Sequence, residues 1–209
     1  MYETSLRMAM VEFGDSLFSR GYTSGSSGNM SVRLDDNRIL ATPTNSSLGR
    51  LVQERISLVS IDGELLSGDK PSKECAFHLE IYRARPKCNA IVHLHSTYVT
   101  ALSCLKGLNE SDVLRPFTPY YVMKVSPLPL IRYFKPGSKQ LFSAIASQAQ
   151  HCSNMLLANH GAITTGESLE QAVNAAEELE ETAKLFFLLS GRDIRYLTET
   201  EIQELRPRA

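Results

Sequence analysis

Along this chain the apolar positions switch between helical and strand periods, and each switch marks an element. Leu6, Met10, Phe13 and Leu17 recur at helical spacing, and Arg20-Gly21-Tyr22 closes that segment at a glycine. Met30, Val32 and Leu34 then alternate with polar residues, which predicts a half-buried strand after the turn-rich Gly25-Ser26-Ser27-Gly28-Asn29. Asp35-Asp36-Asn37 turns it into a second strand over Arg38 to Thr42. Asp62-Gly63 suits the positive backbone angles of a tight turn and predicts a hairpin between Ile56 to Ile61 and Glu64 to Leu66.

After Pro71, Ser72 to Arg83 reads as a helix capped by Ser72, with Cys75, Leu79 and Tyr82 on one face. An apolar strand, Ile91-Val92-His93-Leu94-His95, follows, and Thr97 to Leu105 predicts a short helix. Arg115 to Pro136 carries five prolines and predicts irregular or edge-strand structure. Leu141 and Ile145 mark another helix; Met155 to Asn159 and Ala162 to Thr165 mark two strands. The longest helix opens with Ser168 and Gln171 spaced as a capping box and runs through Leu169, Val173, Ala176, Leu179, Ala183 and Phe186. Its acidic residues Glu170, Glu177, Glu178, Glu180 and Glu181 read as a solvated outer face. This order of helices and hairpins predicts an α+β or layered α/β/α domain with a largely antiparallel sheet.

Composition narrows the function classes. A chain of 209 residues with 43% hydrophobic content suits one domain over residues 1–209. A net charge of −1 with the signs interleaved lacks the basic footprint that nucleic acid requires. No apolar run approaches the ~20 residues of a bilayer span, so no membrane partner is expected. Cys75, Cys88, Cys104 and Cys152 are dispersed with no CxxC pair, and the first residues do not resemble a signal peptide; the expectation is a cytoplasmic protein.

The candidate chemistry sits on the histidine strand. Side chains alternate along a strand, so His93 and His95 share one face while Val92 and Leu94 pack on the other. His160, at the glycine turn ending Leu156-Leu157-Ala158-Asn159-His160-Gly161, is the third imidazole. Three histidines with an open position commonly hold a catalytic zinc, and a packed or hydrogen-bonded histidine pair is the competing reading. Glu74, one helix upstream, offers a carboxylate to ligate a metal or carry a proton. Ser27-Gly28-Asn29, Thr42-Pro43-Thr44-Asn45 and Ser72-Lys73 each combine a turn with exposed amides and hydroxyls, as a phosphate cradle demands. His78, one turn after Glu74, either orients that carboxylate or is a satisfied core histidine.

In this order, Gly28-Asn29-Met30-Ser31, Ala41-Thr42-Pro43-Thr44, Ser72-Lys73-Glu74, His93-Leu94-His95 and Asn159-His160-Gly161 resemble the class II aldolase/adducin superfamily over residues 5 to 190. The resemblance implies a three-layer α/β/α domain with a largely antiparallel central sheet, and a homotetramer with sites between subunits. It implies Zn2+ (Mn2+ or Co2+ as substitutes), one per subunit, on His93, His95 and His160. Glu74 becomes the general acid/base and a further ligand when no substrate is present. The phosphate pocket becomes Asn29, Thr44, Asn45, Ser72 and Lys73. Two positions depart from the sugar-phosphate aldolases, which generally have glycine where Asn45 stands and commonly serine where Lys73 stands.

Gly68-Asp69-Lys70-Pro71-Ser72-Lys73-Glu74 and Thr118-Pro119-Tyr120-Tyr121-Val122-Met123 look like the subgroup of 3-oxo-tetronate 4-phosphate decarboxylases. That likeness implies a small phosphorylated sugar acid as substrate and decarboxylation through a metal-stabilised enediolate. The family's tyrosine from the neighbouring subunit is assigned to Tyr121, with Tyr120, Lys124 and Arg132 as other carboxylate-binding candidates. The alternatives are a sugar-phosphate aldolase, a phosphopentulose epimerase, or a non-catalytic interaction module like the adducin head domain.

Overall fold

The computed structural model describes residues 2–206; residue 1 and residues 207–209, the ends of the expected 1–209 unit, lie outside the described residues. Eight strands form one sheet: β1 Asn29–Asp35, β2 Arg38–Ala41, β3 Ser57–Ser60, β4 Leu65–Ser67, β5 Ala90–Leu94, β6 Leu130–Ile131, β7 Met155–Leu157 and β8 Gly161–Gly166. Their order across the sheet is β4-β3-β2-β1-β5-β8-β7-β6, and every pairing is antiparallel except β6 with β7. The histidine strand β5 therefore lies at the centre, between β1 and β8.

Helices cover both faces, as the three-layer expectation requires. Helices α1 (Tyr2–Ser19) and α6 (Leu169–Leu188) pack on one face, where Met10, Leu17, Met30, Leu40, Val92 and Val173 share a core. Helices α2 (Cys75–Ala84) and α5 (Lys139–Ala149) cover the other, against Ile39, Phe77, Ile81, Ile91, Ile145 and Ile163. Val92 and Ile91, adjacent on β5, thus enter opposite cores, which is the period-2 alternation made physical. A third cluster joins α3 (Thr97–Ser103), α4 (Pro119–Lys124) and α6 through Val99, Leu102, Tyr121 and Leu179.

Most of the expected elements form, and the departures have local causes. The helix expected from Ser72 begins only at Cys75. Residues ahead of it are pulled across the Thr42–Thr44 segment instead: Ser72 N–H donates to the Thr42 carbonyl at 3.1 Å and Thr44 N–H to the Lys70 carbonyl at 2.9 Å. Within the proline-rich stretch β6 is an edge strand, as expected, but Pro119 opens the unforeseen α4, with the Thr118 hydroxyl capping the Tyr121 amide. The carboxy-terminal α7 (Glu199–Leu205) was also not foreseen, although Thr198 and Glu201 make a reciprocal capping box. At α6 the Ser168 hydroxyl caps Gln171 as expected, while the Gln171 side chain turns to the Glu167 amide. No helix among the described residues is long and apolar enough to cross a membrane.

Candidate metal centre and ligand cleft

Strand order brings the three histidines together. His93 lies within β5, His95 immediately follows it, and His160 precedes β8, the antiparallel neighbour of β5. The close approach requires glycine at 161, where a Cβ would lie 2.4 Å from the Leu94 carbonyl oxygen. Ring centroids of the three imidazoles stand 4.8–5.0 Å apart. Glu74, at the N-cap of α2, completes the group: its Oε2 lies 3.5 Å from His93 Nε2 and its Oε1 3.5 Å from His160 Nε2.

The donor set fits a divalent cation. His93 Nδ1 faces the Ala162 carbonyl at 2.8 Å, which places the proton on Nδ1 and leaves the Nε2 lone pair free. That lone pair lies 3.0 Å from His95 Nε2, and one ligand atom from each of Glu74, His93, His95 and His160 falls within 4.8 Å of the others. Burial lowers the pKa of His93 and, aided by the charges of His93 and His160, lowers that of His95 to about 4. Both rings are therefore neutral near pH 7, the form a metal requires. Burial alone raises the pKa of Glu74, but His93, the His160 contact and a hydrogen bond from Asn29 outweigh it and hold the carboxyl below the usual carboxylate range.

Beside this group opens a cleft of about 410 Å³, lined by Ser27, Gly28, Thr44, Asn45, Ser72 and Lys73 among others, with Glu74 and His95 at its base. Asn45 has φ +58, a left-handed conformation that asparagine tolerates better than other side-chain-bearing residues. The backbone N–H groups of Gly28, Asn45 and Lys73 have no partner among the described residues. Lys73 is exposed and is the one lysine or arginine among the described residues that line the cleft. Asn29 also lines the cleft; it is largely buried, gives one amide N–H to Glu74 Oε2 at 2.7 Å, and its Oδ1 has no partner among the described residues.

Two expectations change. Tyr121 is fully buried in its own protomer, with its hydroxyl donating to Asp112 at 3.2 Å and its pKa raised by burial and then by Asp112. A side chain enclosed in this way does not reach a neighbour's site; Tyr120 and Tyr133, at 58% and 61% exposure, do face outward. The cause is α4, whose turn points Tyr121 inward against Leu179 and Ala183. Glu180 is also not solvated with its neighbours: it is 8% exposed and accepts hydrogen bonds from the Tyr98 and Val99 amides. His78 is a core histidine, its Nδ1 2.6 Å from the Ser31 hydroxyl; its backbone N–H donates to the Glu74 carbonyl at 3.4 Å, but its ring makes no hydrogen bond to the Glu74 carboxylate. Lys124 stacks over the Tyr120 ring and Arg132 over Phe134, and neither lines the cleft.

The class II aldolase and adducin N-terminal domain matches residues 8–187 of this chain. Over 208 residues the chain is 54% identical to a 3-oxo-tetronate 4-phosphate decarboxylase of Haemophilus influenzae, covering 100% of this chain and 99% of that one. It is 56% identical over 204 residues to the Escherichia coli K12 protein of the same name, covering 98% and 96%. Among solved structures, YgbL from Klebsiella pneumoniae superposes with a TM-score of 0.96 at 54% identity, over 99% of this chain and 100% of that one.

Proposed function

Because the chain belongs to the class II aldolase and adducin family, we propose that it is a metal-dependent carbon–carbon lyase that decarboxylates a 3-oxo-tetronate 4-phosphate. The products are carbon dioxide and dihydroxyacetone phosphate. The observation that carries the reading is the Glu74, His93, His95 and His160 cluster at the base of a cleft rich in unpartnered amides.

His93, His95 and His160 hold Zn2+, or Mn2+ or Co2+ in its place, with Glu74 as a further ligand when no substrate is bound. When bound, the ion supplies Lewis acidity beside the substrate ketone. The 4-phosphate lies against the amides of Gly28, Asn45 and Lys73, the hydroxyls of Thr44 and Ser72, and the Lys73 ammonium. Loss of the carboxylate leaves an electron pair on the carbon next to the ketone. The proton delivered to that carbon comes from solvent, either from a water hydrogen-bonded to the ionised Glu74 or through Glu74 after it has taken that proton from water, and Asn29 fixes the carboxylate for the transfer. A tyrosine from a neighbouring copy that meets the departing carboxylate has to be an exposed one, Tyr120 or Tyr133.

Residues 1–209 act as one domain and assemble as a homotetramer with sites between subunits. The single sheet supports the first statement, and the exposed apolar side chains of Tyr120, Met123 and Leu188 support the second. The four unpaired cysteines are consistent with a cytoplasmic location. The deciding experiment is product analysis on 3-oxo-tetronate 4-phosphate with and without a chelator. Equimolar carbon dioxide and dihydroxyacetone phosphate, abolished by the chelator, is the expected result. If zinc-loaded protein yields neither product but cleaves a ketose phosphate to an aldehyde, the reaction is aldol cleavage instead.

A further inference from the structure

Helix α3 spans only seven residues, yet it is joined to two of the candidate ligands, to His95 through the chain and to His160 through hydrogen bonds. Its first residue, Thr97, comes two positions after His95. At its other end the Ser103 carbonyl accepts the Asn159 N–H at 2.9 Å, and the Ser103 hydroxyl accepts the His160 N–H at 3.2 Å while donating to the Thr100 carbonyl at 2.7 Å. Asn159 is left-handed at φ +55, which asparagine tolerates, and the His160 N–H also bonds the Leu157 carbonyl at 3.1 Å, so the two Ser103 bonds add an outside anchor to a turn that already has one of its own. A helix this short is not stable by itself and takes its order from caps and packing.

The cap comes from α6. Glu180 Oε1 accepts the Tyr98 N–H and Oε2 the Val99 N–H, each at 2.9 Å. Both oxygens are thus committed to the leading amides of α3, where a negative charge also complements the helix dipole. On the same helix Glu177 pairs instead with Arg20 and Glu181 is exposed, so this arrangement is specific to Glu180.

We propose that Glu180 is a positioning residue for the metal centre, holding α3 as a strut that fixes His95 at one end and His160 at the other. The inference rests on the metal reading above. Glu180 itself contacts neither imidazole. Glutamine offers one acceptor oxygen for two amides and turns its NH2 towards the second, so Glu180→Gln weakens the strut and Glu180→Ala removes its cap.

The test compares the full-length protein with Glu180→Gln, Glu180→Ala and, as a destabilised control remote from α3, Ile145→Val in α5. Cobalt(II) titration with visible absorption reads affinity and ligand geometry, and amide hydrogen exchange on the metal-free proteins reads the strut directly. The expected result is a 10–100-fold loss of cobalt affinity in Glu180→Ala with a changed absorption band, and a smaller loss in Glu180→Gln. Exchange should quicken at Asn159 and His160 as well as at Tyr98 and Val99, and Ile145→Val should show neither effect. Faster exchange confined to Tyr98 and Val99, with cobalt affinity and spectrum unchanged, overturns the proposal and leaves an ordinary helix cap. If Glu180→Ala does not fold, Glu180→Gln decides by the same criteria. Should the unmodified protein bind no cobalt, or His95→Ala bind it equally well, the metal reading fails. The Asn159 and His160 exchange rates then still decide whether α3 couples the two ends.

Discussion

The Asn29 side-chain N–H donates to Glu74 Oε2 at 2.7 Å, tying the first residue of β1 to the N-cap of α2 directly beside His93. A charge-assisted hydrogen bond of this kind fixes both the ionisation and the direction of the carboxylate. Asn29→Ala should therefore leave metal stoichiometry intact, because the three imidazoles keep their places and Glu74 remains present with only its orientation loosened. It should lower kcat about tenfold or more, the effect of losing roughly 1.5–3 kcal/mol of charge-assisted bonding. Steady-state kinetics alongside a metal assay checks it; unchanged kcat would remove Asn29 from the proton-transfer arrangement.

His95→Ala should abolish both metal retention and turnover while the protein stays folded. His95 is only partly buried, follows the end of β5, and its ring makes no hydrogen bond to backbone among the described residues, so the sheet does not depend on that side chain. Metal analysis after dialysis and circular dichroism read the two parts separately, and full turnover in the variant contradicts the ligand assignment.

Lys73→Ala should raise KM far more than it lowers kcat. The lysine is exposed at the cleft and hydrogen-bonds none of the three imidazoles, so its loss removes phosphate binding common to ground and transition states. A tenfold rise corresponds to about 1.4 kcal/mol. Asn45→Gly should be well tolerated structurally, because glycine adopts φ +58 readily. Any change in its KM then reports the asparagine side chain.

Tyr121→Phe should cost about 1 kcal/mol of stability through the lost bond to Asp112 and leave kcat within error. Tyr120→Phe and Tyr133→Phe, at exposed positions, should spare stability, and one of them should lower kcat. Chemical denaturation paired with kinetics separates the groups, and a collapse of kcat in Tyr121→Phe at normal stability would restore that residue to the site.

Acid should destabilise the metal-free protein from just below neutrality. Burial lowers the pKa of His78 to about 3 from an ordinary 6.5, so the folded chain refuses a proton that the unfolded chain accepts between those values. The histidine's contribution is intact above pH 6.5 and is lost progressively as pH falls towards 3, at up to about 1.4 kcal/mol per pH unit. Urea midpoints at pH 7 and pH 5 should show the drop; equal midpoints would mean that His78 is not the buried neutral group its surroundings indicate.

The sequence by itself determined the periodic elements and the local chemistry. Met30 to Leu34, Asp62-Gly63, the His93/His95 pair and the Ser168 cap are all set by contacts within a few residues, where hydrophobic period and turn chemistry act directly. Glu74, His93, His95 and His160 were also legible as a set, since strand alternation aims the first two histidines and a glycine turn exposes the last. What only the tertiary structure decided depends on distant partners. The start of α2 was moved from Ser72 to Cys75 by bonds to residues some thirty positions earlier. Tyr121 and Glu180 each lie beside a similar residue that faces solvent; helical spacing does put Glu180, four after Ala176 and three before Ala183, on the apolar stripe, but no local pattern shows that its carboxylate caps a distant helix or distinguishes Tyr121 from Tyr120. The packing of α4 and α3 against α6 turns Tyr121 and Glu180 inward, because burial is a property of the assembled layers and not of the chain segment that carries the side chain.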